Sequence, residues 1–310
     1  MTDKTAQDWS NYWQGRAASE AGAALVGVGV ETNQEISAFW SERLQAVSRS
    51  SRLLDLACGA GSVVRCAAAL GIGDITGVDI SREAIQTLKT EFPNVRGVVA
   101  SADATGLPSG SFDVVASQFG FEYADPIKAA GEAARLLKPD GQFLALAHSR
   151  DSAIEAEVSA LGGDAKAIRD SGFIAAASAM FRADMSGASD AVFDKTAQTF
   201  AAPQTEVLNI AKRSGGLAAH LYEGTQTLYQ QRQRYNFSDI IGWLNGMESE
   251  INAFIGRMDS MQGAALSDVD VKAVLRALEQ GGLSAAQPEK FTSASTGDVL
   301  GWVIFAKGGA

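Results

Sequence analysis

Two acidic residues, each within a short apolar run, are the first candidates for chemistry. Asp55 lies in Ser51–Ala57 (SRLLDLA), and Asp79 closes Asp74–Asp79 (DITGVD). Between them stands a glycine turn, Cys58-Gly59-Ala60-Gly61. A strand ending in such a turn lets a ligand approach backbone N–H groups at the start of the next helix. An acid closing the following strand, about twenty residues on, is placed to accept both hydroxyls of a ribose. A tight strand–helix turn also occurs without any ligand. Here the spaced acid and the ordered strands point to a nucleotide.

The same residues discriminate between nucleotides. A dinucleotide site requires a third glycine for close helix–strand packing. Counting from Gly59 puts Val64 in that place, and counting from Ala57 loses the first glycine. The Asp55 carboxylate would also repel a pyrophosphate. It suits a ligand with an ammonium or sulfonium end, which favours S-adenosylmethionine over NAD.

A second set of groups ends other apolar runs. His148 closes Gln142–His148 (QFLALAH). Strand ends face the ligand crevice in open α/β sheets, and imidazole serves as a base near neutral pH. A hydrogen-bonded histidine at a strand end is the alternative. Glu122 and Tyr123 follow Ser111–Ser117 (SFDVVAS) and are read either as substrate-facing or as a helix start. His220 reads as an ordinary helix residue, and the QRQR run Gln231–Arg234 as a solvated helix face.

These positions need a scaffold of alternating strands and helices. The runs Ser51–Ala57, Asp74–Asp79, Val95–Ala100, Ser111–Ser117 and Gln142–His148 are expected strands. Between them, Ser62–Leu70, Arg82–Glu91 and the segment opening at Asp125-Pro126 are expected helices. Ser81 is the N-cap of the second, and Pro126 sits in the first turn of the third. Lys138-Pro139-Asp140-Gly141 is an expected turn. From Asp239 to Gln262 the residues Ile240, Leu244, Met247, Ile251, Phe254 and Met258 recur at spacings of four and three, one stripe of a helix. Ser267 caps a further helix ended by Gly281-Gly282. Glu289–Ser295 and Leu300–Lys307 read as two closing strands.

In that order, LLDLACGAG, GVDIS, ASADATGLPSGSFDVVASQFGFEYAD and LLKPDGQFLALAHS resemble the class I S-adenosylmethionine-dependent methyltransferases. They cover about residues 50–150. The LKPDG turn and the DATGLPSGSFD run look like the small-molecule branch, near the ubiquinone/menaquinone methyltransferase relatives. The resemblance implies that Asp55, Ala57, Gly59 and Gly61 hold the methionine part of the cofactor, and that Asp79 holds the ribose. It also implies that Ile80 packs on the adenine, that Asp103 with Ala104 meets its edge, and that Gln118 and Phe119 line the sulfonium side. Ala57 departs from the glycine common among relatives. Related enzymes often carry an aromatic N-terminal lid. Trp9, Tyr12, Trp13 and Arg16 share one helical face, so Tyr12 or Trp13 would cover the cofactor and Arg16 would pair with its carboxylate. A plain amphipathic helix on the core is the alternative.

Composition agrees with this reading. The 310-residue chain is 46% hydrophobic and 20% charged, as in a packed protein. Its net charge of −10 argues against nucleic acid or an anionic membrane as partner. Two cysteines and two histidines leave little for a disulfide scaffold or a metal cluster. The acidic start, with Asp3 and Asp8, does not resemble a secretory signal, so a cytoplasmic protein is expected.

The expected fold is α/β, a Rossmann-like doubly wound seven-stranded sheet with a helical cap inserted after strand five. Residues 1–50 would form an N-terminal helical lid, 51–150 and 267–310 the core, and 151–266 the cap over a substrate. The expected function is methyl transfer from S-adenosylmethionine to the oxygen or carbon of a small, partly apolar molecule. His148 and Glu122 are the candidate catalytic groups, and no metal is expected. A cofactor-binding but catalytically idle interaction subunit, or less favourably an NAD-linked oxidoreductase, is the alternative. The oligomeric state is left open.

Overall fold

Strand β1 (Arg52–Leu56) stands in the interior of the sheet because its apolar run can be covered on both faces. It pairs in parallel with β2 (Asp74–Asp79) on one side and β4 (Phe112–Gln118) on the other. The computed structural model describes residues 30–309. Strand β3 (Arg96–Val99) lies outside β2, and β5 (Leu137–Ala147) outside β4. The antiparallel β8 (Val299–Gly308) lies next to β5. The order is β3-β2-β1-β4-β5-β8-β6, a doubly wound sheet whose direction of winding reverses between β1 and β4.

The sheet has eight strand segments where the sequence suggests seven. The difference arises at one edge. Strands β6 (Leu283–Ala285) and β7 (Glu289–Thr292) both pair with β8, one after the other along its outer side. They are one edge strand interrupted at Ala286–Pro288, where Pro288 has no N–H to give to the ladder. The expected turn at Lys138–Gly141 likewise falls inside β5. Phe112 pairs with Leu137 and Val114 with Gln142, so the turn residues bulge out of the register.

The helices follow their local signals. Helix α1 (Val30–Leu44) precedes β1. Helix α2 (Ser62–Ala69) starts at the glycine turn. Helix α3 (Arg82–Glu91) is capped by Ser81, whose hydroxyl accepts from the Ala84 N–H at 3.1 Å. Helix α4 (Pro126–Leu136) has Asp125 accepting from the Ile127 and Lys128 N–H groups. After β5 come α5 (Ala153–Asp170), α6 (Phe173–Met185), α7 (Asp190–Ser214), α8 (Gly216–Gln230) and α9 (Phe237–Ala264). Helix α10 (Asp268–Gln280) begins with a capping box between Ser267 and Asp270.

The chain forms two compact units, one holding the residues up to Val158 and from Ser260 onward, the other Ser159–Asp259. The first has its core between the sheet and α4 and α10, with Leu54, Phe112, Phe121, Phe143, Val274 and Ile304 buried. The second is helical and has its own core, around Phe173, Phe181, Val207, Leu221 and Leu244. The α9 stripe is buried at Ile240, Leu244, Met247, Ile251 and Met258, with Ile255 buried beside it and Phe254 half-buried. No described helix is long and apolar enough to cross a membrane.

Candidate functional site

The reversal point between β1 and β4 is where ligands of such sheets bind, and the polar candidates converge on it. Asp55 sits in mid-strand, opposite Gly77 of β2 and Ala116 of β4. It is 1% exposed, and neither carboxylate oxygen has a hydrogen-bond partner. Burial pushes its pKa well above the usual carboxylate range, the negative charge of Asp79 adds to the rise, and the Val64 backbone opposes it only weakly. A buried carboxylate left in that state is destabilising unless a donor or cation meets it.

The turn beyond β1 is built from left-handed residues. Ala57, Gly59 and Gly61 have φ of 58°, 52° and 91°. Ala57 therefore adopts a conformation that costs an L-residue roughly 1–2 kcal/mol. Gly61 is required for space as well as for φ, since a Cβ there would lie 2.5 Å from Leu88 Cδ1. It is the N-cap of α2, and no side chain caps the first amides of that helix.

Asp79 is locked across this turn. Its Oδ2 accepts the Gly59 N–H at 2.9 Å and its Oδ1 the Ser81 N–H at 2.8 Å. Each oxygen keeps a lone pair for a further donor. The group is partly exposed, yet desolvation lifts its pKa despite those amide bonds. Ile80 follows at the same edge, half-buried.

The end of β4 closes against the turn. A Cβ on Gly120 would lie 2.7 Å from the Ala57 Cβ and 2.8 Å from its carbonyl oxygen, so only glycine lets the two segments touch. Gln118 is half-buried at the strand end, and Phe119 next to it is buried with φ 48°. Its N–H still donates to the Leu146 carbonyl of β5. Ser117, fully buried, donates to the Leu56 carbonyl at 2.6 Å and accepts from the Phe121 N–H at 3.1 Å.

His148 and Glu122 meet. Glu122 Oε1 lies 2.8 Å from His148 Nδ1 and also accepts the His148 backbone N–H at 2.8 Å. Both side chains are buried. The pairing follows from strand order, since β4 and β5 are neighbours and both residues lie just beyond their ends. The imidazole packs against Phe119 and, edge-on, against Tyr123. The His148 carbonyl accepts the Leu266 N–H, and the Leu266 carbonyl accepts from Arg150 N–H and Trp302 Nε1. The chain thus leaves and returns to the sheet beside this histidine.

In the loop after β3, Asp103 Oδ1 accepts the Ser101 hydroxyl at 2.6 Å, and Ala104 is exposed. The loop is held by Glu132 of α4, which sequence reasoning missed. Glu132 Oε1 accepts the Thr105 N–H and hydroxyl, while Arg135 grips both its oxygens and the Leu107 carbonyl. Glu132→Ala should leave the Thr105 amide unpaired and cost about 1–3 kcal/mol, read as a lower urea midpoint with unchanged slope. The aromatic face of Tyr12, Trp13 and Arg16 lies outside the described residues.

Residues 54–145 match the family described as a methyltransferase domain. An uncharacterized methyltransferase of Schizosaccharomyces pombe is 32% identical over 115 residues, 37% of this chain and 46% of its own length. The ubiquinone/menaquinone biosynthesis C-methyltransferase of Rickettsia massiliae is 31% identical over 126 residues, 36% of this chain and 51% of its own. The solved structure of the YcgJ protein of Bacillus subtilis is 24% identical and covers 42% of this chain and 58% of its own, with a TM-score of 0.36. The chain spans about half the length of the curated relatives it matches. The segment from β1 to β5 is therefore a methyltransferase domain of the class I, S-adenosylmethionine-dependent kind.

The residues present fit that cofactor. The unpartnered Asp55 carboxylate would meet its cationic end. Asp79 would hold the ribose hydroxyls with its remaining lone pairs. Ala57, Gly59 and Gly61 offer backbone rather than side chains, and Gly120 keeps β4 against them.

Proposed function

We propose that this protein transfers the methyl group of S-adenosylmethionine to a small molecule through the oxygen or a carbon of the acceptor. The observation that carries this reading is Asp55, buried with both oxygens unpartnered directly beneath the glycine turn. A pyrophosphate beside that charge would be repelled, which disfavours an NAD-linked reaction. An ammonium would relieve it.

The cofactor, when bound, supplies an electrophilic methyl carbon. The protein has little covalent chemistry to perform, and most of the rate comes from alignment and exclusion of water. Asp55, Ala57, Gly59 and Gly61 orient the methionine part, Asp79 and Ile80 the ribose and adenine, and Asp103 with Ala104 the adenine edge. Gln118 and Phe119 line the reacting side. We propose His148, with Glu122, as the catalytic group.

The helical unit Ser159–Asp259 is proposed to select the substrate. Its separate apolar core and its place in the chain, soon after the strand that leads to His148, support that role. Replacing residues 159–259 with a short linker should abolish methyl transfer while cofactor binding survives, as judged by calorimetry beside a product assay.

Asp79→Ala tests the cofactor assignment. A charge-assisted hydrogen bond contributes roughly 1.5–3 kcal/mol, so affinity for S-adenosylmethionine should fall about ten- to a hundredfold. The far-ultraviolet circular dichroism should be unchanged. Calorimetry that returns the wild-type dissociation constant would remove Asp79 from the site.

A further inference from the structure

The turn after β1 and the end of β4 meet through the Ala57 methyl group. A Cβ on Gly120 would lie 2.7 Å from the Ala57 Cβ, so that methyl faces β4. Gly120 has a negative φ, −147°, so space and not φ keeps it a glycine. Ala57 is the reverse case. Its φ of 58° would suit glycine and costs an L-residue energy. Strain of this kind persists only where the surrounding structure holds it. What alanine adds at this position is its methyl, and Gly120 is what the methyl meets.

Phe119, next to Gly120, is strained too. Among the described residues three non-glycines have a left-handed φ, Ala57, Phe119 and Asp151, and two of them flank this contact. The Phe119 N–H is tied to the Leu146 carbonyl at 2.6 Å. Its ring lies 4.6 Å from the His148 imidazole, and a Cβ on Gly301 of β8 would lie 3.1 Å from its Cε1. The Ser117 hydroxyl ties the Leu56 carbonyl to the Phe121 N–H, so the segment 117–121 is braced at both flanks. Between those ties the methyl bears on Gly120 and Phe119, and the imidazole stands against Phe119. A close-packed interior passes such a displacement on.

We infer that Ala57 is a positioning residue. Its methyl sets the gap between the turn proposed to hold the cofactor and the end of β4. Through Gly120 and Phe119 it sets where the His148 ring stands. The inference rests on the methyl-transfer reading above. Methyl transfer needs the reacting atoms about 3–3.5 Å apart and aligned, so the acceptor side has to be gauged against the cofactor. The Ala57 backbone serves the cofactor, and its methyl serves the acceptor side.

The test uses the full chain saturated with S-adenosylhomocysteine, with saturation shown by calorimetry. Only two histidines occur, so the ¹³Cε1–¹Hε1 signals of a histidine-labelled sample are assigned with His220→Gln. The Phe119 ring current displaces the His148 signal, and Phe119→Leu gives its position without that ring. Ala57→Gly keeps every backbone donor of the turn, so affinity for S-adenosylhomocysteine should stay within about threefold. The His148 signal should nevertheless move toward the Phe119→Leu position. In a Phe119→Leu background Ala57→Gly should move it no further, because residues acting in series do not add. A methyl that only fills space would leave the His148 signal where it was.

An unmoved His148 signal in Ala57→Gly would overturn the inference, and that variant decides alone if Phe119→Leu does not fold. So would full addition of the two effects. A loss of S-adenosylhomocysteine affinity of about tenfold or more in Ala57→Gly would also overturn it, by putting the methyl against the ligand. If S-adenosylhomocysteine fails to bind the wild type, the methyl-transfer reading falls, and this inference with it.

Discussion

Gly59→Val should weaken binding of S-adenosylmethionine by more than about a hundredfold, the loss of roughly 3 kcal/mol or more. Three effects combine at this position. Gly59 has φ 52°, a region that β-branched residues almost never enter. Its N–H is the donor that locks Asp79 Oδ2 at 2.9 Å, so a twisted backbone releases that acid, proposed above to hold the ribose, as well. The added methyl groups would also occupy the space where a ligand meets the turn. Stability should change too, because a strained residue of this type costs about 1–3 kcal/mol. The two effects separate by experiment. Calorimetry on the folded variant gives the affinity, and urea unfolding without ligand gives the strain. Gly59→Ala should sit between, since alanine tolerates the same conformation two residues earlier at Ala57. A valine variant with near-normal affinity would mean that the ligand does not approach this backbone.

The parts of the site legible in the sequence are those fixed by short segments. Asp55, the turn and Asp79 are set by one strand–helix–strand unit, and their spacing alone places them together. Ser81 and Ser267 were legible as caps for the same reason, because each acts within three residues, and Asp125 proves to be a third. What escaped depends on neighbours far apart in the chain. Glu122 and His148 were both visible as candidates, but their direct contact needs β4 and β5 to lie side by side. Glu132 gave no signal, because an acid on an exposed-looking helix reads as solvated until Thr105 is folded onto it. Gly120 looked like an ordinary loop glycine, and only the approach of Ala57 shows why it is needed. The split edge strand and the bulged turn in β5 are register effects, which a pattern of alternating residues does not carry.

Cofactor binding should release a proton, and affinity should rise with pH because of it. Burial and then the charge of Asp79 hold the Asp55 carboxyl well above its usual value of 3.8. In the free protein Asp55 therefore keeps its proton in a range where the unfolded chain has lost its own. The folded state binds more protons there, so stability contributed by this group is present at low pH and is lost as pH rises through the raised folded value. A cationic ligand end reverses the balance, since it stabilises the ionised carboxylate and drives the proton off. While Asp55 is protonated in the free protein, one proton leaves per ligand bound, and affinity should rise about tenfold per pH unit. Above that range the slope should flatten. Calorimetry in buffers of different ionisation enthalpy measures the proton count directly. Asp55→Asn removes both the charge and the linkage. It should lower affinity by about a hundredfold, because truncating one side of a buried charged pair costs roughly 2–5 kcal/mol. Free of an ionisable group that burial penalises, the unliganded variant should be at least as stable as the wild type once pH exceeds the raised Asp55 value. An affinity independent of pH, with no proton exchanged on binding, would place the ammonium elsewhere and leave Asp55 as a buried acid with no part in the site.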